Sequence, residues 1–138
     1  MAVVVGTRDR PALLADSLRA ITSGLRAPDR LVDVDSASVD PQVRRVAEDA
    51  GAEVVRCERP GLGHARNEGL RRVREDVVAF TDDDCLADAA WLQEVAGALA
   101  RPDGPCFVTG PVRSDVQVQR RAWLGVSVTG DDAAARPL

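Results

Sequence analysis

Short apolar runs and helix-spaced apolar positions alternate along the first hundred residues of the chain. Val3-Val4-Val5 is a compact apolar run closed by Gly6 and Thr7, which predicts a buried strand. Pro11 then opens a stretch in which Leu13, Leu14, Leu18 and Ile21 recur at helical spacing, closing near Gly24. Leu31 to Val34 predicts a second strand that runs into Asp35-Ser36-Ala37-Ser38. Asp40-Pro41 reads as a helix cap followed by proline at the first helical position, ahead of Val43, Val46 and Ala47 and a stop at Gly51. Glu53 to Arg56 predicts a third, short strand. The loop Pro60-Gly61-Leu62-Gly63 leads into a helix through Ala65, Leu70 and Val73. Val77-Val78-Ala79-Phe80 predicts a fourth strand, which runs straight into Asp82-Asp83-Asp84. A further helix covers roughly Ala89 to Leu99, with Trp91, Leu92, Val95 and Leu99 on one face. Cys106-Phe107-Val108-Thr109 is expected as a fifth strand before Gly110-Pro111, and Val112 to Val118 alternates as an edge strand would. Gly130 to Leu138 carries no core-facing pattern and is expected to fray.

Strands alternating with helices of this length imply an α/β fold: a doubly wound, mostly parallel sheet with helices on both faces. At 138 residues the chain makes one domain that buries roughly 65–70% of its unfolded surface. Its 45% apolar content excludes intrinsic disorder. No apolar run is long enough to cross about 30 Å of bilayer. The N-terminus enters its first strand without a basic region or a small-residue cleavage site, so a cytoplasmic location is expected. With 18 Lys plus Arg against 22 Asp plus Glu, the net charge of −4 argues against nonspecific nucleic-acid binding. Four aromatics (Phe80, Trp91, Phe107 and Trp123) are too few for a base-stacking platform. Cys57, Cys85 and Cys106 are odd in number and lack a CxxC pair, so they read as reduced, small hydrophobes.

In open parallel sheets, ligands bind outside the carboxyl ends of the strands. Polar residues stand at three such ends: Thr7-Arg8-Asp9, Asp35-Ser36 and Asp82-Asp83-Asp84. The acid triplet is the most informative. Adjacent carboxylates repel by roughly 4 kcal/mol per close pair near a protein surface, and a phosphate ligand alone makes this worse. A divalent ion reverses the sign by bridging carboxylate to phosphate. A solvated turn that caps the next helix is the plainer alternative. Other phosphate devices are missing. There is no GxxxxGK[ST] loop, and Gly61-Leu62-Gly63 has Arg66 where a dinucleotide fingerprint needs glycine. The helix start after Gly63 still suits phosphate, with Arg66 supplying charge. No G-x-S-x-G turn exists, and the sole histidine, His64, reads as a capping or packing residue.

Four segments together resemble family 2 glycosyltransferases, which have the GT-A fold. Val3-Val4-Val5-Gly6-Thr7-Arg8-Asp9-Arg10-Pro11 with Leu13-Leu14 is similar to the family's opening strand and helix. Asp35-Ser36-Ala37-Ser38-Val39-Asp40 resembles its D-N-x-S-x-D segment, and Gly63-His64-Ala65-Arg66-Asn67-Glu68-Gly69-Leu70 its G-x-A-R-N-x-G-L helix start. Phe80-Thr81-Asp82-Asp83-Asp84-Cys85 with Trp91-Leu92 resembles its DxD motif. The resemblance covers about residues 2–112, expected as a nucleotide-sugar-binding domain, with 113–138 a short C-terminal segment.

The resemblance implies an inverting transfer of sugar from a nucleotide-diphosphate sugar, expected as a UDP-sugar, to a hydroxyl of a glycan, lipid or other acceptor. It implies that Thr7 and Asp9 line the nucleotide pocket, that Asp35 accepts a hydrogen bond from the base, and that Arg66 sits beside base or diphosphate. Asp82 or Asp83 would contact ribose, and Asp84, with Asp82, would hold Mn²⁺ or Mg²⁺. The family's catalytic base lies further downstream, where residues 113–138 do not match its motifs; Asp131-Asp132 is an acidic pair there without a matching context. The chain is therefore expected to be the donor-binding half of a longer enzyme, or a noncatalytic nucleotide-sugar binding module. A third alternative is an aspartyl phosphohydrolase of the haloacid-dehalogenase type, which Asp82-x-Asp84 resembles. Leu86 and the motif's mid-chain location count against it.

Overall fold

The structure is a computed structural model and describes residues 1–113. Four strands, β1 (Ala2–Thr7), β2 (Arg30–Ser36), β3 (Glu53–Cys57) and β4 (Val78–Asp82), form one parallel sheet in the order β3-β2-β1-β4. Helices α1 (Pro11–Thr22), α2 (Gln42–Asp49), α3 (Leu62–Arg72) and α4 (Trp91–Leu99) follow the strands. The chain winds outward from β1 to β3 and then returns to place β4 on the other side of β1. That reversal opens a crevice beyond the carboxyl ends of β1 and β4. Residues divide into two compact units, Met1–Ala96 and a second beginning at Gly97; the whole sheet lies in the first.

Strand alternation sends successive side chains to opposite faces. Val3 and Val5 of β1, Leu31 of β2 and Ala79 of β4 face one core, which Leu14, Leu18 and Ile21 of α1, Val43 and Ala47 of α2 and Leu92 of α4 complete. Val4, Val32, Val34, Val55 and Cys57 face the other, against Ala65 of α3. Because β1 is covered on both faces, its sequence is a continuous valine run rather than an alternation. The expected helices on both faces are therefore present. Asp40 caps α2 from just outside it: its Oδ1 accepts the Gln42 amide at 2.8 Å, and Pro41 already has helical torsions.

Two sequence expectations need correction. Cys106 to Thr109 has no strand structure; Pro105 and Pro111 bracket it, and proline cannot donate to a ladder. The edge strand expected from Val112 to Val118 has no strand structure at residues 112–113, and its remainder lies outside the described residues, as does the frayed tail. The second concerns α3. Leu70 is half exposed, and Val73 is the extended residue after the helix. The face pressed to the sheet carries Ala65 and Gly69 instead. A Cβ at Gly69 would overlap Val4 Cγ1 and stand 3.1 Å from Val34 Cγ2, both on rigid core valines.

Asp33 is the exception in this core. It pairs with Val5 and Val54 in register, is wholly buried, and neither carboxyl oxygen has a hydrogen-bond partner among the described residues. Burial, then the charges of Asp35 and Asp83, push its pKa up to about 8.

Two predictions follow from these contacts. Helix propensity alone favours Gly69→Ala by about 1 kcal/mol, but overpacking against Val4 costs about 1–3 kcal/mol. Net destabilisation is expected in urea unfolding, and a rise in stability would show that α3 can lift from the sheet. For Asp33, the native state holds a proton that the unfolded chain releases between pH 3.8 and about 8. Its contribution to stability therefore falls as pH rises through that window, by about 1.4 kcal/mol per pH unit. Asp33→Val should flatten that slope and raise the urea midpoint at pH 8 more than at pH 5; equal shifts at both would show that Asp33 is already charged in the native state at pH 5.

Candidate functional site

The candidate residues gather where β1, β2 and β4 end. Thr7, the last residue of β1, is buried, and its hydroxyl donates to Asp83 Oδ2 at 2.7 Å. Arg10, just before α1, donates from Nε to the same oxygen at 3.1 Å, while its NH2 lies 2.5 Å from Asp83 Oδ1. The third nitrogen, NH1, donates to Asp84 Oδ2 at 3.1 Å. One guanidinium thus spans two neighbouring acids, and Asp83 points inward with no exposure of its side chain. Asp84 points out and is half exposed. Ser17 of α1 adds a bond to the Asp82 carbonyl at 3.4 Å.

The loops after β1 and β2 are stitched together. Asp9 has φ 53° and Ala37 φ 59°, left-handed torsions that non-glycine residues adopt at a cost. They are held by cross-loop bonds: the Asp9 amide donates to Ser38 Oγ at 2.9 Å, and Asp9 Oδ1 accepts the Val39 and Asp40 amides at 2.6 and 3.0 Å. The Asp40 and Val39 amides hold the Asp9 carboxyl below its usual value. Asp35, nearly buried, accepts the Ser38 amide on Oδ1 at 2.8 Å and Arg56 NH1 on Oδ2 at 2.6 Å. Asp9 is therefore spent on loop architecture, while Asp35 is a fixed acceptor.

The start of α3 completes the set. Gly61, at φ 134°, turns the chain into the helix, and its amide donates to Ser36 Oγ at 3.0 Å. Arg66 projects to Asp82, with NH2 at 3.2 Å from Oδ1. Arg66 Nε is buried and has no hydrogen-bond partner among the described residues. Burial pushes the Cys85 thiol up, a backbone hydrogen bond from Asp82 to the sulfur opposes that rise, and the Asp84 charge adds to it; it makes a poor nucleophile.

Structure thus brings Thr7, Asp83 and Asp84 together, Asp9 beside the Asp35 loop, and Arg66 onto Asp82. Sequence reading missed Arg10 and Arg56, two of the three arginine counter-ions. Arg56 was legible in principle, since it ends the third strand and parallel register sets it opposite Asp35. Arg10 had no such signal; its partner lies 73 residues away. Among the described residues no three His, Cys, Asp or Glu side chains come together as a metal cage. The acids ending β4 offer hard carboxylate oxygens, the donor type that Mg²⁺ shares with substrate phosphates, and among the described residues Asp84 Oδ1 has only the Cys85 thiol beside it, at 3.7 Å. The donor set fits a metal held jointly with a ligand.

Comparison with known proteins shows the family and the fold. Residues 2–128 match the model of the family described as Glycosyl transferase family 2. The chain belongs to that family. It is 34% identical over 137 residues to glucosyl-3-phosphoglycerate synthase of Mycolicibacterium paratuberculosis, an alignment spanning 89% of this chain and 40% of the synthase. The crystal structure of the Mycobacterium tuberculosis glucosyl-3-phosphoglycerate synthase with Mn²⁺ and UDP-glucose superposes with a TM-score of 0.64 at 26% identity, over 74% of this chain and 39% of that one. The S. aureus TarS structure superposes at 0.63 and 23% identity, over 71% and 31%, and shares the fold. The chain thus spans well under half the length of these relatives. The expected GT-A architecture is the observed one, and among the described residues no helix is long and apolar enough to cross a membrane.

The asymmetric burial of the Arg10–Asp83 pair gives a further prediction. Arg10→Ala strands a carboxylate that water cannot reach, at a cost of about 3 kcal/mol. Asp83→Asn leaves a guanidinium that still reaches solvent and should cost less. Thermal unfolding of both variants checks the order; equal losses would mean that water enters to solvate Asp83.

Proposed function

We propose that this chain forms the donor side of a metal-dependent, inverting glycosyltransferase that uses a UDP-sugar. The observation that carries this reading is the convergence of Asp35, Arg66, Asp82 and Asp84 at the sheet's carboxyl edge, beside the strand-order reversal, in a member of this family. Asp35 accepts a hydrogen bond from the base. Thr7 and Asp9 shape the pocket wall, Thr7 by holding Asp83 and Asp9 by fixing the loop after β2. Asp82 meets the ribose, with Asp83 fixing the turn from within rather than touching ligand. Arg66 offers its unpartnered Nε to base or diphosphate.

Asp84, with Asp82, would hold Mn²⁺ or Mg²⁺, which when bound neutralises charge building on the departing diphosphate. In the transfer, an acceptor hydroxyl oxygen forms a bond to the anomeric carbon as the bond from that carbon to the diphosphate oxygen breaks, and the electron pair leaves with the nucleotide. Attack from the opposite face inverts the centre. No described residue is assigned as the base that takes the acceptor's proton. UDP-glucose is the donor to try first, because the M. tuberculosis synthase was crystallised with it and Mn²⁺. A nucleotide-sugar donor suits a cytoplasmic chain.

Titration calorimetry with UDP and GDP, each with Mn²⁺ and with EDTA, tests the reading. Metal-dependent binding of UDP is expected, and no binding of either nucleotide would overturn it. Asp84→Ala should abolish the metal-dependent part with little loss of stability, because Asp84 is half exposed and its removal relieves repulsion within the triplet. Loss of the fold by circular dichroism would make Asp84 structural instead. Binding of UDP-glucose without transfer would favour the nucleotide-sugar binding module.

A further inference from the structure

Parallel register sets Asp35 of β2 directly opposite Arg56 of β3, so both side chains leave the sheet on one face. Arg56 NH1 donates to Asp35 Oδ2 at 2.6 Å and to the Ser38 carbonyl at 2.7 Å, while the Ser38 amide donates to Asp35 Oδ1 at 2.8 Å. These three residues close a bracket in which each carboxylate oxygen is tied once, from different directions. Asp35 cannot rotate about its terminal torsion without breaking one of the bonds. The Asp35 side chain is 8% exposed, whereas the Arg56 side chain is 41% exposed, so the acid is nearly covered while the guanidinium side chain reaches solvent.

Fixed aim matters for the base. Uracil presents an N–H donor at N3, where cytosine presents a lone pair flanked by an amino group. An ionised carboxylate held in one orientation accepts from uracil N3 and repels the cytosine lone pair. A carboxylate free to turn reaches the cytosine amino group instead, and discrimination falls. We propose that Arg56 is the positioning residue that sets the pyrimidine specificity of the nucleotide site, by fixing the orientation of Asp35. This rests on the reading of Asp35 as the base acceptor. Arg56 itself touches neither sugar nor diphosphate in this role.

Calorimetry of UDP and CDP with Mn²⁺ tests it in the parent chain, Arg56→Met, Arg56→Gln and Arg56→Lys. The parent is expected to prefer UDP. Arg56→Met should lower the UDP-to-CDP affinity ratio by about tenfold or more, a fraction of the discrimination that a site built to pair with a substrate N–H can reach. Arg56→Lys keeps the charge and one of the two bonds, and should recover part of the ratio. A purely structural Arg56 would weaken both nucleotides equally. An unchanged ratio in Arg56→Met overturns the proposal while leaving the donor site intact; if that variant does not fold by circular dichroism, Arg56→Gln decides by the same criterion. A parent that binds both nucleotides equally, or an Asp35→Ala variant with the parent's ratio, overturns the Asp35 reading and this proposal with it.

Discussion

A carboxylate taken out of water must find a cation or a set of amides, and the crevice at the carboxyl edge of this sheet is organised by that requirement. Asp35 is held by Arg56, Asp82 by Arg66, and Asp83 and Asp84 jointly by Arg10, while Asp9 takes two backbone amides. The pairs differ in strength because they differ in exposure. At Asp83 the carboxylate is sealed and the pairing is obligatory. Where both partners reach solvent, as between Arg10 NH1 and Asp84, the contact is worth only about 0–1 kcal/mol and can be exchanged. The carboxyl edge therefore combines exposed acids and arginines that can change partner with a sealed pair, Arg10–Asp83, that cannot.

That frame depends on how closely α3 lies on the sheet. Ala65 and Gly69 bring the helix against Val4, and an added Cβ at Gly6 would stand 3.9 Å from Ala65 Cβ, so small residues face one another at the point of approach. Arg66 lies one residue beyond Ala65 and is carried by the same helix to Asp82. Packing and site chemistry are thus coupled through one helix: a change that lifts α3 moves the cation paired with Asp82. Asp33 works against this economy. It occupies a fully buried strand position with no partner among the described residues, and its neighbours on that face include the charges of Asp35 and Asp83. Unlike those two acids, it receives no guanidinium.

Much of the fold was legible along the chain. The valine run of β1, the Pro11 helix start and the alternation of strand and helix determine a doubly wound α/β sheet, because burial on both faces demands continuous apolar strands and amphipathic crossovers. The strand ends carrying Thr7, Asp35 and Asp82 followed from that topology, and so did the neighbourhood of the site. Local chemistry also marked the limits of the elements, as at Asp40-Pro41. Apolar spacing misjudged α3, where close approach favours glycine over leucine, and it made a strand of Cys106 to Thr109, where apolar character has no ladder to join.

Tertiary structure alone decided which acids reach the solvent side of the carboxyl edge and which face inward. Asp82, Asp83 and Asp84 are identical in sequence terms, yet one is paired across the crevice, one sealed beneath it and one half exposed. Their fates are set by Thr7, Arg10 and Arg66, and Arg10 and Thr7 lie more than 70 residues away. Composition and periodicity register which faces are apolar; they carry no information about which distant cation reaches a given carboxylate. That is fixed only when the parallel register aligns the strand ends and the helices carry their arginines to them.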